Sequence, residues 1–321
     1  MNILVTGATG FIGRHLTAAL SKSYSVRCLV RKTSDISGLR NFNIDLTYGD
    51  LLVKDSIRPA LDGIDMVYHL AGEVYSRKKA DYYKNNVLAT QNLLEMSQKK
   101  DVKRIIYLSS VAVNKPLTNK GGLLTEESEC APITLYGKTK LEAETLIRES
   151  NMPFVIARAP VVYGPYQPPV INKFFLDAVQ KEKVYLIGDG ENVRSLCFAS
   201  NLTDGLILLA NTSHAEGKTF ILSDERPYTF NQIIQTISKV TGQQISTIYL
   251  PNILGEISWQ LYNLMGNLFG IYFVELYGIK TMQLNLGCGI AKAKKEIAYK
   301  PLVSLEVGIK STVEWIENSC I

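Results

Sequence analysis

The chain has 321 residues, 46% of them apolar and 20% charged, with a net charge of +5. That is enough chain to bury one large core or two modest ones, and the composition is that of a soluble globular protein. Charges of both signs are spread throughout and no basic patch is interleaved with aromatics, which argues against a nucleic-acid partner. Cys28, Cys130, Cys197, Cys288 and Cys320 are widely spaced, odd in number and free of any C-x-x-C pair. They suit neither a disulfide framework nor a zinc site and fit a reducing cytoplasm. No basic region precedes the first apolar run, so no signal peptide is expected.

Ile3, Leu4 and Val5 form a short apolar run of β propensity that passes through a glycine turn into helical periodicity at Phe11, Leu16 and Leu20. Gly7, Gly10 and Gly13 are spaced G-x-x-G-x-x-G. Gly7 would permit the turn, Gly10 would let amides approach a pyrophosphate, and Gly13 would let helix lie on strand. Further strands are predicted at Val26 to Val30, Ile44 to Tyr48, Met66 to His69 and Arg104 to Leu108, and helices at Asp81 to Lys99 and Leu135 to Arg148. Repeated β-α units imply a doubly wound parallel sheet, the Rossmann type of α/β fold, with its ligand crevice at the carboxyl ends of the strands.

Strand ends supply the candidate residues. Arg31 and Lys32 close strand two, where a basic side chain can accept the 2′-phosphate of NADP and an acidic one the 2′-hydroxyl of NAD. Arg31 therefore favours NADP, the alternative being a solvated loop charge. Asp50 closes strand three and would either accept from an adenine amino group or cap the next helix. His69 opens His-Leu-Ala-Gly, small residues where backbone could pass close to a cofactor. With only three histidines and no carboxylate cluster beside any of them, a buried, hydrogen-bonded His69 is expected and no metal is called for.

Strand five ends in Ser109-Ser110, and Tyr136 and Lys140 follow four positions apart on a predicted helix, hence on one face. A phenol titrates near ~10 in water, and a nearby ammonium stabilises the phenolate. Ser110 would hydrogen-bond the substrate oxygen.

These segments resemble the extended short-chain dehydrogenase/reductases, also called the NAD-dependent epimerase/dehydratase family. The likeness runs through TGATGFIG (Thr6 to Gly13), GDL (Gly49 to Leu51), HLAG (His69 to Gly72), NNVLAT (Asn85 to Thr90), LSS (Leu108 to Ser110), YGKTK (Tyr136 to Lys140) and RAPVVYGP (Arg158 to Pro165). Gly188 to Gly205, Ala291 to Pro301 and a closing helix with Glu306 to Trp315 are similar too. The resemblance implies a Tyr136 base, a Lys140 that also holds the nicotinamide ribose, and a Ser110 that orients substrate, with Ser109 the weaker candidate. It implies cofactor contacts from Gly7, Thr9, Gly10, Phe11, Ile12, Gly13, Arg31, Lys32, Asp50, Leu51, Leu70, Ala71, Gly72, Asn86 and Ser109, besides Tyr136 and Lys140. It also implies a homodimer built on the helices at Asp81 to Lys99 and Leu135 to Arg148.

Departures narrow the activity. Val111-Ala112-Val113 follows Ser110 where 4,6-dehydratases carry Asp-Glu, and no asparagine stands near Val161, where many sugar-nucleotide epimerases place one. Arg194 stands where those enzymes keep an arginine for the substrate diphosphate. Leu29 to Asp35 is closer to the dihydroflavonol-reductase and hydroxysteroid-dehydrogenase branch. The leading expectation is a nucleotide-sugar epimerase. The alternatives are an NADP-dependent ketone reductase or hydroxy dehydrogenase and a non-catalytic NADP-sensing regulator, against which the intact Ser, Tyr and Lys set argues.

Residues 1–165 are expected to form the dinucleotide-binding domain and 166–321 mainly a smaller α/β substrate domain, with part of 196–222 returning to the sheet. Asn114 to Pro132 reads as a mobile loop beside the site. Helices are predicted at Asn172 to Lys181 and Thr229 to Val240. Ile253 to Phe273 is strongly apolar, with Leu254, Ile257, Leu261, Leu264, Met265, Leu268 and Tyr272 at helical spacing. Its polar interruptions argue against a span. A core or lid helix is the first reading and a peripheral membrane contact the second, because the polar face carries no lysine or arginine.

Overall fold

The computed structural model describes residues 1–119 and 121–319. Lys120, inside the expected loop, and Cys320 lie outside the described residues. The first half alternates as β1 (Asn2–Thr6), α1 (Phe11–Leu20), β2 (Ser25–Val30), β3 (Asp45–Tyr48), α2 (Lys54–Leu61) and β4 (Met66–His69). There follow α3 (Lys79–Tyr82), a π turn at Tyr83–Leu88, α4 (Ala89–Gln98), β5 (Arg104–Ser110), α5 (Leu135–Glu149) and β6 (Phe154–Ala159). Beyond it come β7 (Val161–Tyr163), α6 (Pro169–Gln180), β8 (Lys183–Ile187), β9 (Val193–Arg194), β10 (Leu196–Phe198) and α7 (Ala199–Asn211). The chain ends in β11 (Thr219–Ile221), β12 (Tyr228–Thr229), α8 (Phe230–Thr241), β13 (Ser246–Leu250), α9 (Ile253–Phe269), α10 (Val274–Thr281), α11 (Ala291–Ile297) and α12 (Leu305–Ser319).

The main sheet has seven strands in the order β11-β6-β5-β4-β1-β2-β3, all parallel. It is the expected doubly wound sheet. Strand order reverses between β1 and β4, and a ligand crevice opens at such a switch point. Both faces are covered, which is why β1 and β4 read as continuous apolar runs. Leu16, Leu20, Leu202, Leu206 and Leu209 of α1 and α7 pack on one face; Ile57, Leu61, Leu93, Ala143 and Ile147 of α2, α4 and α5 pack on the other. In the 196–222 region, α7 lies against α1 and β11 pairs with β6.

The remaining elements form a smaller lobe with its own core of Phe175, Val179, Leu186, Phe230, Ile233, Ile309 and Val313. Short pairs build it: β8 with β13, β9 with β12, and β7 with β10. The loop from Asn114 to Pro132 is tied down rather than loose. Leu117 N–H donates to the Asn285 carbonyl at 3.0 Å, Leu124 N–H to the Gly287 carbonyl at 2.7 Å, and Leu124 is buried. Its partner segment lies more than a hundred residues away, so no local signal announces the pairing.

Candidate active site

The crevice is built at the carboxyl ends of β1 to β5. Gly7, at φ +74°, leaves β1 so close to the end of β4 that a Cβ would stand 2.6 Å from the Ala71 nitrogen; a Cβ on Gly13 would stand 2.1 Å from the Gly7 carbonyl. Gly10 is the N-cap of α1, which has neither a side-chain cap nor an acidic residue in its first turn. Its leading N–H groups, with Thr9, Phe11 and Ile12 around them, are therefore available to an anion, as a dinucleotide's pyrophosphate requires. Leu70, Ala71 and Gly72 form the opposite wall. A Cβ on Gly72 would meet Asn86 Oδ1 at 2.9 Å and Lys140 Nζ at 3.9 Å, so backbone alone fits there.

α5 carries the chemical groups. Thr134 caps it by accepting from the Gly137 N–H at 3.0 Å, which sets Tyr136 in the first turn. Gly137 is required for another reason: a Cβ would lie 2.2 Å from the Ala112 carbonyl. That close approach brings Tyr136 toward Ser110. Burial pushes the Tyr136 phenol well above its ordinary value, opposed by the Ser110 hydroxyl and reinforced by Tyr75 and Tyr277. Lys140 lies one turn on. Its ammonium donates to the Leu108 carbonyl at 2.7 Å and sits 4.1 Å from the centre of the Tyr107 ring. Burial pulls it down to about 7, with Glu144 acting in the opposite sense. The Leu108 carbonyl and the Tyr107 ring thus fix the Lys140 side chain against β5, with further N–H groups of the ammonium left over.

Ser109 goes elsewhere. It is buried and donates to Glu144 Oε1 at 2.6 Å, while Arg158 donates to both oxygens of the same carboxylate from Nε at 2.9 Å and Nη2 at 2.7 Å. Asn86 is also engaged within the protein: Oδ1 accepts from the Glu73 N–H at 2.6 Å, and Nδ2 donates to the Glu73 carbonyl and the Thr139 hydroxyl. It holds the chain after Gly72 in place. It lies within the π turn, a feature common at functional sites. His69 is buried between Thr6 and Thr90, its ring nitrogens 2.7 and 2.9 Å from their hydroxyls, and burial holds it near 3, hence neutral.

Arg31 and Lys32 are exposed at the end of β2. Asp50 Oδ1 accepts from the Leu52 N–H at 2.9 Å, whereas α2 begins only at Lys54 with Val53 as its N-cap. The carboxylate closes a local turn before Leu51 and does not cap the helix, which corrects that half of the expectation. Arg194 comes from the smaller lobe. Its guanidinium reaches the Thr281 carbonyl at 2.5 Å and lies 5.2 Å from the Phe230 ring centre, while Nε is buried without a partner. It has no carboxylate among the described residues; Glu191 instead accepts from Asn231. Burial lowers its pKa, and the Tyr277 hydroxyl acts against that. Thr281 ends α10, the helix that also carries Tyr277, so Arg194 lies against the element that brings Tyr277 toward Tyr136. Gly137, Glu144 and Tyr277 escaped the sequence reading. Only the first two had a local signal, a glycine in a helix's first turn and a carboxylate four residues beyond Lys140.

The profile of the NAD dependent epimerase/dehydratase family matches residues 3–222. An uncharacterized protein of Sinorhizobium fredii, y4nL, is 33% identical over 98% of this chain and 94% of its own length. The mouse sterol-4-alpha-carboxylate 3-dehydrogenase (decarboxylating) is 27% identical over 97% of this chain and 89% of the relative. Among solved structures, the UDP-glucose 4-epimerase of Thermotoga maritima with UDP-glucose superposes over 100% of both chains, with a TM-score of 0.78 and 25% identity. With the glycine cradle and the Ser110, Tyr136 and Lys140 cluster in place, the chain belongs to the NAD-dependent epimerase/dehydratase family and is an NAD(P)-binding enzyme.

Proposed function

We propose that the enzyme interconverts a secondary alcohol and a ketone on the sugar of a nucleoside-diphosphate sugar, as an epimerase. Arg194 carries the reading. A half-buried guanidinium whose Nε is enclosed without a partner, and which has no carboxylate among the described residues, is an incomplete ion pair, and a diphosphate is the anion it would grip in bidentate fashion. The UDP-glucose 4-epimerase structure supports the same class.

Bound NAD(P) would accept and return the hydride. Tyr136 would move the hydroxyl proton, Ser110 would orient the reacting oxygen, and Lys140 would help hold the cofactor at its nicotinamide ribose. An epimerase holds the ketone until it has turned over in the crevice; a reductase releases it. The second reading, a reductase or hydroxy dehydrogenase, draws on the sterol-dehydrogenase relative and on Arg31, which also favours NADP over the NAD of the family's description. The protein would work in the cytoplasm, where its four described cysteines stay unpaired, and as a homodimer through α4 and α5.

Thermal shift of the cofactor-loaded protein with uridine and guanosine diphosphate sugars tests the assignment, with Arg194→Ala in parallel. Ligand at 100 times its Kd stabilises by about 2.7 kcal/mol. Stabilisation of the wild type that disappears in Arg194→Ala is expected. A flat wild-type response across the panel transfers the assignment to the reductase.

A further inference from the structure

α9 is built inside out. Its inward face consists of Gly255, Ser258, Tyr262 and Gly266, all buried. Neither glycine tolerates a side chain: a Cβ on Gly266 would lie 2.4 Å from the Tyr272 ring, and one on Gly255 would lie 2.1 Å from the Gln283 amide. The apolar side chains point the other way. Ile253, Leu254, Ile257, Leu261, Leu264, Leu268 and Phe269 are each between 40% and 65% exposed. All but Phe269 fall within a stripe roughly 100° wide on a helix about 25 Å long. Of the expectation of a core or lid helix, the core half does not hold: periodicity shows that a face is apolar, not which way it faces.

The neighbouring charge says what suits this face. Tyr272 N–H donates to the Arg77 carbonyl at 2.8 Å and Lys78 bridges Ile271, so the segment from Val74 to Lys84 borders the end of α9. That segment exposes Lys78, Lys79 and Lys84, none with a carboxylate partner among the described residues, together with Val74 and Tyr83. Of the acidic residues nearby, Glu256 pairs with Lys280 at 2.5 Å and Glu275 with Arg77 at 3.6 Å, while Asp81 accepts from the Ser76 hydroxyl at 2.8 Å, so the segment's three free lysines outnumber its one unmatched carboxylate. The cations missing from the helix's own polar face thus come from another part of the chain. An apolar stripe bordered by unmatched lysines and a tyrosine is the pattern of a helix lying in the headgroup layer. No described helix is long and apolar enough to cross a membrane.

We propose that α9 and the basic segment beside it seat the protein peripherally on an anionic lipid bilayer. The docked helix is also part of the crevice roof. α10 packs against α9, and the ring of Tyr277 on α10 stands 6.1 Å from that of Tyr262 on the inward face of α9, so the docked helix backs the segment that faces Tyr136. Docking therefore holds the crevice close to the headgroups, whatever the identity of the substrate.

Co-sedimentation of the full chain with phosphatidylcholine vesicles, with and without phosphatidylglycerol, is the test. The wild type should pellet with the anionic vesicles and much less with the neutral ones, and salt should weaken the binding. Leu264→Glu/Leu268→Glu should reduce partitioning at least tenfold without changing the thermal midpoint. Each of Lys78→Gln and Lys79→Gln should cost roughly fivefold. A wild type that stays in the supernatant with both vesicles overturns the proposal. So does a Leu264→Glu/Leu268→Glu variant whose mass in solution halves while vesicle binding persists, since the stripe would then join two copies. Neither outcome bears on the nucleotide-sugar assignment, which the thermal shifts decide separately.

Discussion

Each lobe holds an arginine inside it, Arg158 buried and Arg194 half-buried, and the two are treated in opposite ways. In the sheet lobe, Arg158 grips both oxygens of Glu144, which also accepts from Ser109, and only Nη1 is left without a partner. In the smaller lobe, Arg194 has a backbone carbonyl, an aromatic ring and, among the described residues, no carboxylate. Their pKa values part accordingly. Burial lowers that of Arg158, but Glu144 more than restores it, whereas burial prevails at Arg194. The sheet lobe is complete before any ligand arrives; the smaller lobe leaves a cation unmatched among the described residues, and on the proposed function that cation is where the substrate's charge would go.

The largest effect should come from the completed side. Tyr136→Phe removes the proton-transferring hydroxyl and leaves the glycine cradle untouched. Turnover should fall by about 10²–10⁴, while cofactor affinity measured by calorimetry holds. Turnover surviving within a few-fold would remove Tyr136 from the chemistry.

Breaking the matched arginine should cost stability, and removing the unmatched one should not. Glu144→Gln strands Arg158 in the core at a cost of about 3–5 kcal/mol, whereas Arg194→Met should be neutral or stabilising by about 1–4 kcal/mol. Urea midpoints of the two variants test the contrast, and equal losses would dissolve it. A pH series sharpens it. Burial raises the Glu144 pKa, but Arg158, Ser109 and Arg148 together hold it below the ordinary 4.5. Its contribution is thus full above that value and is lost as pH falls through the lower folded value. Glu144→Gln should lack this acid-side loss.

How much was legible follows the same division. β4 stands at Met66–His69 as read, because an apolar run buried on both faces needs no partner to be recognised. α5 begins at Leu135 as read, and Tyr136 with Lys140 came from its spacing. The pairing of Leu117 and Leu124 with residues 285 and 287 was invisible, since backbone pairing over such a distance leaves no periodicity. So was the Tyr75 and Tyr277 surround of Tyr136, assembled from segments two hundred residues apart. The outward turn of α9 was hidden because glycines on its inner face look, in sequence, like mere interruptions.

The smallest effect sits where the comparison is least tidy, at Arg31. It belongs to the sheet lobe, yet like Arg194 it is a cation with no carboxylate partner among the described residues, exposed at the end of β2. If an unmatched cation at the crevice marks a place for a ligand's charge, Arg31 should contact the one phosphate that distinguishes the two cofactors. A charge-assisted hydrogen bond is worth roughly 1.5–3 kcal/mol. Arg31→Ala should therefore weaken NADP by about 10- to 100-fold and NAD hardly at all. Lys32 is exposed beside it and would cushion the loss, which places the expectation toward the lower end of that range. Calorimetric titrations of wild type and variant with each cofactor separate the outcomes. A loss confined to NADP extends the rule from the substrate lobe to the cofactor. Equal losses would make Arg31 a general contact to the adenosine end, and no loss would leave it a solvated surface charge and the enzyme free to use the NAD of its family.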